Sequence, residues 1–193
     1  MSQRRTTIIL LAVLVALAAT IAGWYVGRKP EPESPPEVEG PEEPVVEGTS
    51  AVVDLFFPGG GLQLYAESRE VPAGGELEQR LVRLLQELTA GPESVELYPV
   101  LTEEISVGWT HVNSANIAYV DLVHTGEASR LPWGSGYEML SIYSIVNTIL
   151  LNMPEISAVI LLSNGQQRET LAGHIDTSRP LVANRELIAS IGP

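Results

Sequence analysis

The run Ile8–Val26, IILLAVLVALAATIAGWYV, constrains this chain more than any other stretch, because 19 consecutive residues carry no charge. At about 1.5 Å of rise per residue, a helix of that length spans the roughly 30 Å hydrocarbon layer of a bilayer. The run therefore predicts a transmembrane anchor. Arg4, Arg5 and the terminal amine outweigh Arg28 and Lys29 behind it, which places residues 1–7 in the cytoplasm and the rest of the chain outside it. A cleaved signal peptide would need a shorter apolar core, of about 7–15 residues, and Trp24 and Tyr25 stand where an interfacial aromatic belt anchors an uncleaved helix. The expected location is the cytoplasmic membrane, crossed once.

Charge and composition narrow the range of partners and chemistries. The net charge of −13 divides into +4 over residues 1–29, −7 over residues 30–48 and −10 over residues 49–193. No segment beyond the anchor is basic, so nucleic acid is excluded as a partner. The chain has no cysteine, which removes disulfides, thiolate metal sites, cysteine nucleophiles and a lipid-modified cysteine. Residues 27–49 form a linker rich in proline and glutamate, with no apolar period able to offset the entropy of ordering. Extended at about 3.1 Å per residue, it holds the C-terminal domain up to about 50–60 Å from the bilayer.

Residues 50–193 carry the periodicities of one folded domain. Ala51–Phe57 alternates as a strand with Val53, Leu55 and Phe57 on one face and Asp54 on the other. Pro58 and Gly59–Gly61 break it, and Leu62, Leu64 and Ala66 continue the alternation, so the two runs predict a hairpin. From Glu76 to Ala90, Leu77, Leu81, Leu84, Leu85 and Leu88 share one helical face, stopped by Gly91-Pro92. Ile105–Val112 and Ile117–Val123 form a second hairpin around Asn113–Asn116. Gly136–Asn152 is a helix apolar over much of its circumference, followed by a doubly buried strand Ala158–Leu162, the turn Ser163-Asn164-Gly165 and a partner strand Gln166–Leu171. The order β-β-α-β-β-α-β, with a last strand, predicts an α/β (α+β) two-layer sandwich in which two helices cover one face of a mixed sheet.

Chemistry is sparse in this pattern. His111, His124 and His174 fall on different elements, without the spacings that preorganise a metal site. No nucleophile elbow, nucleotide loop or paired-acid motif is present, so no catalytic residue, cofactor or metal is assigned and the domain is not expected to be an enzyme. Asp54 and Asp121 are the carboxylates a wall hydrolase would need within about 5–9.5 Å of each other, although acids on outer strand faces are ordinarily solvated. Trp109, Tyr119 and Trp133 are the candidate surface for a ligand or partner.

The succession VVDLFFP, LYAESREVP, LTAGP, NIAYVDLV, YSIVNTIL, ISAVILLSNGQ and TLAGHIDTSRP resembles the GerMN domain of bacterial sporulation and germination proteins over about residues 50–182. The resemblance implies a ring-building-motif-like fold and a scaffold of envelope complexes with no activity or cofactor. Its implied partners are envelope proteins, or other copies of the chain through self-association. The namesake carries two such domains and a lipidated cysteine, where this chain has one domain and an anchor helix. The alternative is an extracytoplasmic sensor that binds a cell-wall fragment or small germinant against the three aromatic residues.

Overall fold

The computed structural model describes residues 49–125 and 134–190. Ile8–Val26 and the linker up to Gly48 lie outside the described residues. Among those described, no helix is long and apolar enough to cross a membrane. Strand β1 (Ser50–Pro58) turns through a 3-10 segment, Gly60–Leu62, into β2 (Leu64–Pro72). Next along the chain are α1 (Leu77–Thr89), β3 (Ile105–Val112), β4 (Ile117–His124), α2 (Ser135–Asn152), β5 (Ala158–Ser163), the two-residue β6 (Gln166–Gln167) and a 3-10 turn, Arg185–Leu187.

The leucine stripe of α1 behaves as its spacing demands. Leu81, Leu84, Leu85 and Leu88 are buried, and Leu77 packs partly buried against the same core. Gly91 ends the helix at φ +92°, a left-handed conformation that glycine adopts without steric cost. From the sheet, Ala118, Val120, Leu122, Val159 and Leu161 meet these leucines and Ile142, Ile145 and Ile149 of α2 in one apolar cluster. At about 0.8 kcal/mol per buried methylene, this cluster is the main source of stability.

One part of the predicted sandwich is corrected. The strands form two sheets, β1–β2 alone and β3-β4-β5-β6, where a single mixed sheet is expected. In the larger sheet β4 and β5 are parallel and the other pairs antiparallel. The hairpin stays apart because a helix occupies the edge of β1. Asn152 Oδ1 accepts from the Asp54 amide at 2.9 Å, and Asn152 Nδ2 donates to the Asp54 carbonyl at 2.8 Å. Thr148 Oγ1 accepts from the Phe56 amide at 3.1 Å, while Ser144 Oγ donates to the Phe56 carbonyl. Four helical residues rise about 6.0 Å and two strand residues about 6.8 Å, so side chains at i, i+4 and i+8 keep pace with alternate backbone groups.

Two smaller expectations also change. β1 is buried on both faces toward its end, since Phe56 packs with Leu64 and Leu140 in a second cluster while Leu55 and Phe57 enter the first. The partner strand predicted over Gln166–Leu171 stops at Gln167. Beyond it the Arg168 and Glu169 carbonyls accept from Thr177, the Ala172 amide donates to Glu138 at 2.6 Å, and Leu181 pairs with Val159 in the place a longer β6 would take. Glu138 is fully buried and also accepts from the amide and Nδ1 of His174, both at 2.9 Å.

Because Thr148 is buried, Thr148→Val keeps its shape and strands the Phe56 amide. Its expected cost is about 1–3 kcal/mol. Urea unfolding checks this: the midpoint should fall with the slope unchanged, and an unaltered midpoint would show that the helix does not hold the strand.

Candidate functional site

A groove of about 730 Å³ opens between α1 and β3, and its walls arise from how β3 is built. The β3–β4 register slips between Val107 and Thr110, so Gly108 and Trp109 form a bulge. Glycine is required there, because a Cβ on residue 108 would lie 2.5 Å from Val123 Cγ2 and 3.2 Å from Asp121 Oδ2. The bulge re-aims Trp109, which remains 47 % exposed and lines the groove. Val82, Leu85 and Thr89 of α1 form the opposite wall, and Pro99, Leu101 and Thr102 line one end.

The segment from Gly91 onward, which shapes that end, is fastened by an ionic cluster. Arg69 donates to the Gly91 carbonyl at 2.6 Å, the Glu87 carbonyl at 3.1 Å and the Glu67 carboxylate at 2.6 Å, with its guanidinium 5.7 Å from the Phe57 ring centre. Glu67 in turn accepts from the Glu93 and Ser94 amides at 3.0–3.2 Å. Burial pushes the Glu67 carboxyl up, but the Glu93 amide, the Arg69 guanidinium and the Ser94 amide together outweigh it and hold the group below its ordinary range. Tyr98 and Tyr137 add bonds to the carbonyls of Pro58 and Pro99, at 2.8 and 2.6 Å. The groove is thus a braced cleft.

Of the aromatic residues singled out by sequence, Trp109 alone among the described residues lines the groove. Tyr119 is opposite His111 on β4 and is absent from the groove wall. Trp133 lies outside the described residues. The histidines engage separate partners. His111 Nδ1 meets Glu78 Oε1 at 2.8 Å, His124 Nε2 meets Ser163 Oγ at 3.1 Å, and His174 meets Glu138. Glu78 also accepts from the Val112 amide, and that bond, followed by the one to His111, holds its carboxyl below the ordinary value.

Asp121 contradicts the expectation of a solvated outer-face acid. It is 3 % exposed and accepts from the Gly165 amide at 2.7 Å, because the β5–β6 turn folds back over the end of β4. Asp54 is exposed on the other sheet and accepts from Ser68 Oγ at 2.7 Å, so the two acids share no partner and no strand pairing. The Ser163–His124 contact is not legible in the sequence, where the residues are 39 apart. Ser163 is almost fully buried, and Asn164 Nδ2 donates to the same ring nitrogen at 3.1 Å. This arrangement ties the β5–β6 turn to the end of β4. Among the described residues no cluster of His, Asp and Glu could hold a metal ion.

The model of the Germane family, described as sporulation and spore germination, matches residues 33–169. The first GerMN domain of the sporulation protein GerM from Bacillus subtilis is similar over 70 % of this chain and 98 % of its own, with a TM-score of 0.51 and 14 % identity. A structure of the tandem GerMN domains of the same protein matches 72 % of this chain, at TM-score 0.50 and 14 % identity. This chain spans 48 % of that tandem structure. Comparison with curated proteins gives no match.

The depressed Glu67 carboxyl makes the brace acid-sensitive. A carboxyl lowered in the folded state contributes stability above its unfolded value, ordinarily about 4.5, and loses it as pH falls through the folded value. At pH 7, Glu67→Gln is expected to cost about 1–3 kcal/mol, a deficit that closes below pH 4.5. Parallel denaturation of both proteins from pH 7 to pH 3 checks it. A deficit constant across that range would assign the effect to packing.

Proposed function

The chain belongs to the Germane family of sporulation and spore germination, and we propose that it serves as a membrane-held assembly module of a bacterial envelope. In this reading it acts by binding another envelope protein and catalyses nothing itself. The single observation that carries the proposal is the braced groove, in which a half-exposed indole stands among apolar side chains of α1 and β3. Aromatic residues in desolvated clefts are the anchors on which protein contacts concentrate their binding energy.

The apolar run Ile8–Val26 and the acidic linker support the placement. They would tether the domain outside the cytoplasm and hold it clear of the bilayer, where anionic headgroups repel its net −10. A module recruited in this way needs its groove free to face partners. The likeness to a GerMN domain of a B. subtilis sporulation protein supports the same class of task.

A photoreactive residue at Ser106, which is exposed on the groove wall, tests the reading in intact cells. It should capture one envelope protein that the same probe at Val182 does not, and Trp109→Ala should reduce capture about tenfold. Equal capture from both positions, or indifference to Trp109→Ala, would overturn the proposal. Saturable quenching of tryptophan fluorescence by a soluble wall fragment, without protein capture, would favour the sensor instead.

A further inference from the structure

The groove beside Trp109 has a single charged side chain on its wall, Glu103. The Ile105 amide donates to the Thr102 carbonyl at 2.9 Å, so residues 102–105 form a turn at the entry to β3 with Glu103 and Glu104 at its corners. Both acids are exposed, and Glu103 is the one that lines the groove. Among the described residues no cation pairs with it, whereas Glu67, Glu87 and Glu93 share Arg69, and Glu78 meets His111. No described arginine lines the groove either. Trp109 lies four residues beyond Ile105, about 13 Å along the strand at roughly 3.3 Å per residue. The indole and the carboxylate are therefore met by different side chains of an occupant.

We infer that the groove takes a basic and apolar segment of the partner protein, in which an apolar side chain packs between Trp109 and Val82 and a lysine or arginine of the same segment pairs with Glu103. This rests on the groove being a docking site and names the chemistry of what docks there. Trp109 and Val82, 47 % and 40 % exposed, offer the apolar contact from opposite walls. Apolar area by itself discriminates poorly among partners, since whole interfaces are about as apolar as the rest of a protein surface. An unanswered carboxylate does discriminate, because a partner acid set against it is repelled while a cation is drawn in. The wider field has the same sign: residues 49–193 carry −10 and the linker −7. That field speeds the approach of a cationic segment. It opposes a second copy of the chain, with the same −10, and the chain's own linker, with its seven glutamates. Glu103 is exposed, so it governs choice of partner and rate of encounter, and the indole governs tightness.

Photocapture by the full-length chain in intact cells, with the photoreactive residue at Ser106, tests this through charge. Glu103→Lys should cut capture about tenfold and Glu103→Gln about threefold. Glu169→Lys makes the same reversal at an exposed residue off the groove wall and should change capture by less than about twofold. The partner peptide joined to residue 106, sequenced by mass spectrometry, should carry lysine or arginine within about four residues of the join. Capture that needs Trp109 but ignores Glu103→Lys would overturn the inference and leave the docking groove standing. An equal loss from Glu169→Lys, a captured peptide without lysine or arginine, or capture of a second copy of the chain would overturn it as well. Capture indifferent to Trp109→Ala would instead remove the docking groove itself.

Discussion

The pairing of α2 side chains with the backbone edge of β1 is the interaction on which the rest of the structure depends. Buried polar groups cost several kcal/mol unless bonded, and α2 carries Glu138, Ser144, Asn147 and Thr148 at full burial. Each is satisfied by a distant backbone segment. Ser144 and Thr148 take β1, Asn147 exchanges bonds of 2.8 and 2.9 Å with Asn184, and Glu138 holds Ala172 and His174. The helix thereby positions the first hairpin, the segment after β6 and the C-terminal stretch at once. Without those bonds the apolar faces could still collapse, but nothing would fix the direction of β1.

The same device explains why the domain has two sheets. A strand edge is free to extend a sheet only while its amides and carbonyls are unpaired. On β1 they are consumed by a helix, on β5 by β6 and Leu181, and on β3 the bulge and the Glu78 carboxylate interrupt the row. Closure of these edges leaves the Trp109 groove as a surface built from side chains and not from strand backbone.

The features legible in the sequence are those with an apolar period. The leucines of α1, the bounds of β3 and the doubly buried β5 emerge from spacing alone, because burial selects side chains at 3.6 and 2 residues. Features without a period stay hidden. The Ser144, Thr148 and Asn152 stripe is invisible among the isoleucines of α2, since its partners lie on a strand some 90 residues away. The bulge at Gly108 breaks the alternation that would place Trp109 beside Tyr119. Asp121 reads as solvated because the turn that buries it comes 44 residues later.

Sequence separation gives the α2–β1 contact a consequence in time. The bonds to Asp54 and Phe56 close over 88–98 residues, so the hairpin emerges from the ribosome well before its helix. At roughly 5–20 residues per second, the 80 residues from the end of β2 at Pro72 to Asn152 take about 4 to 16 seconds. Throughout that interval both outer edges of a newborn β1–β2 ribbon stand open. A two-stranded ribbon is marginal by itself, so the N-terminal half of this domain must wait for its C-terminal half, and until then its unpaired edges are open to strands of neighbouring chains.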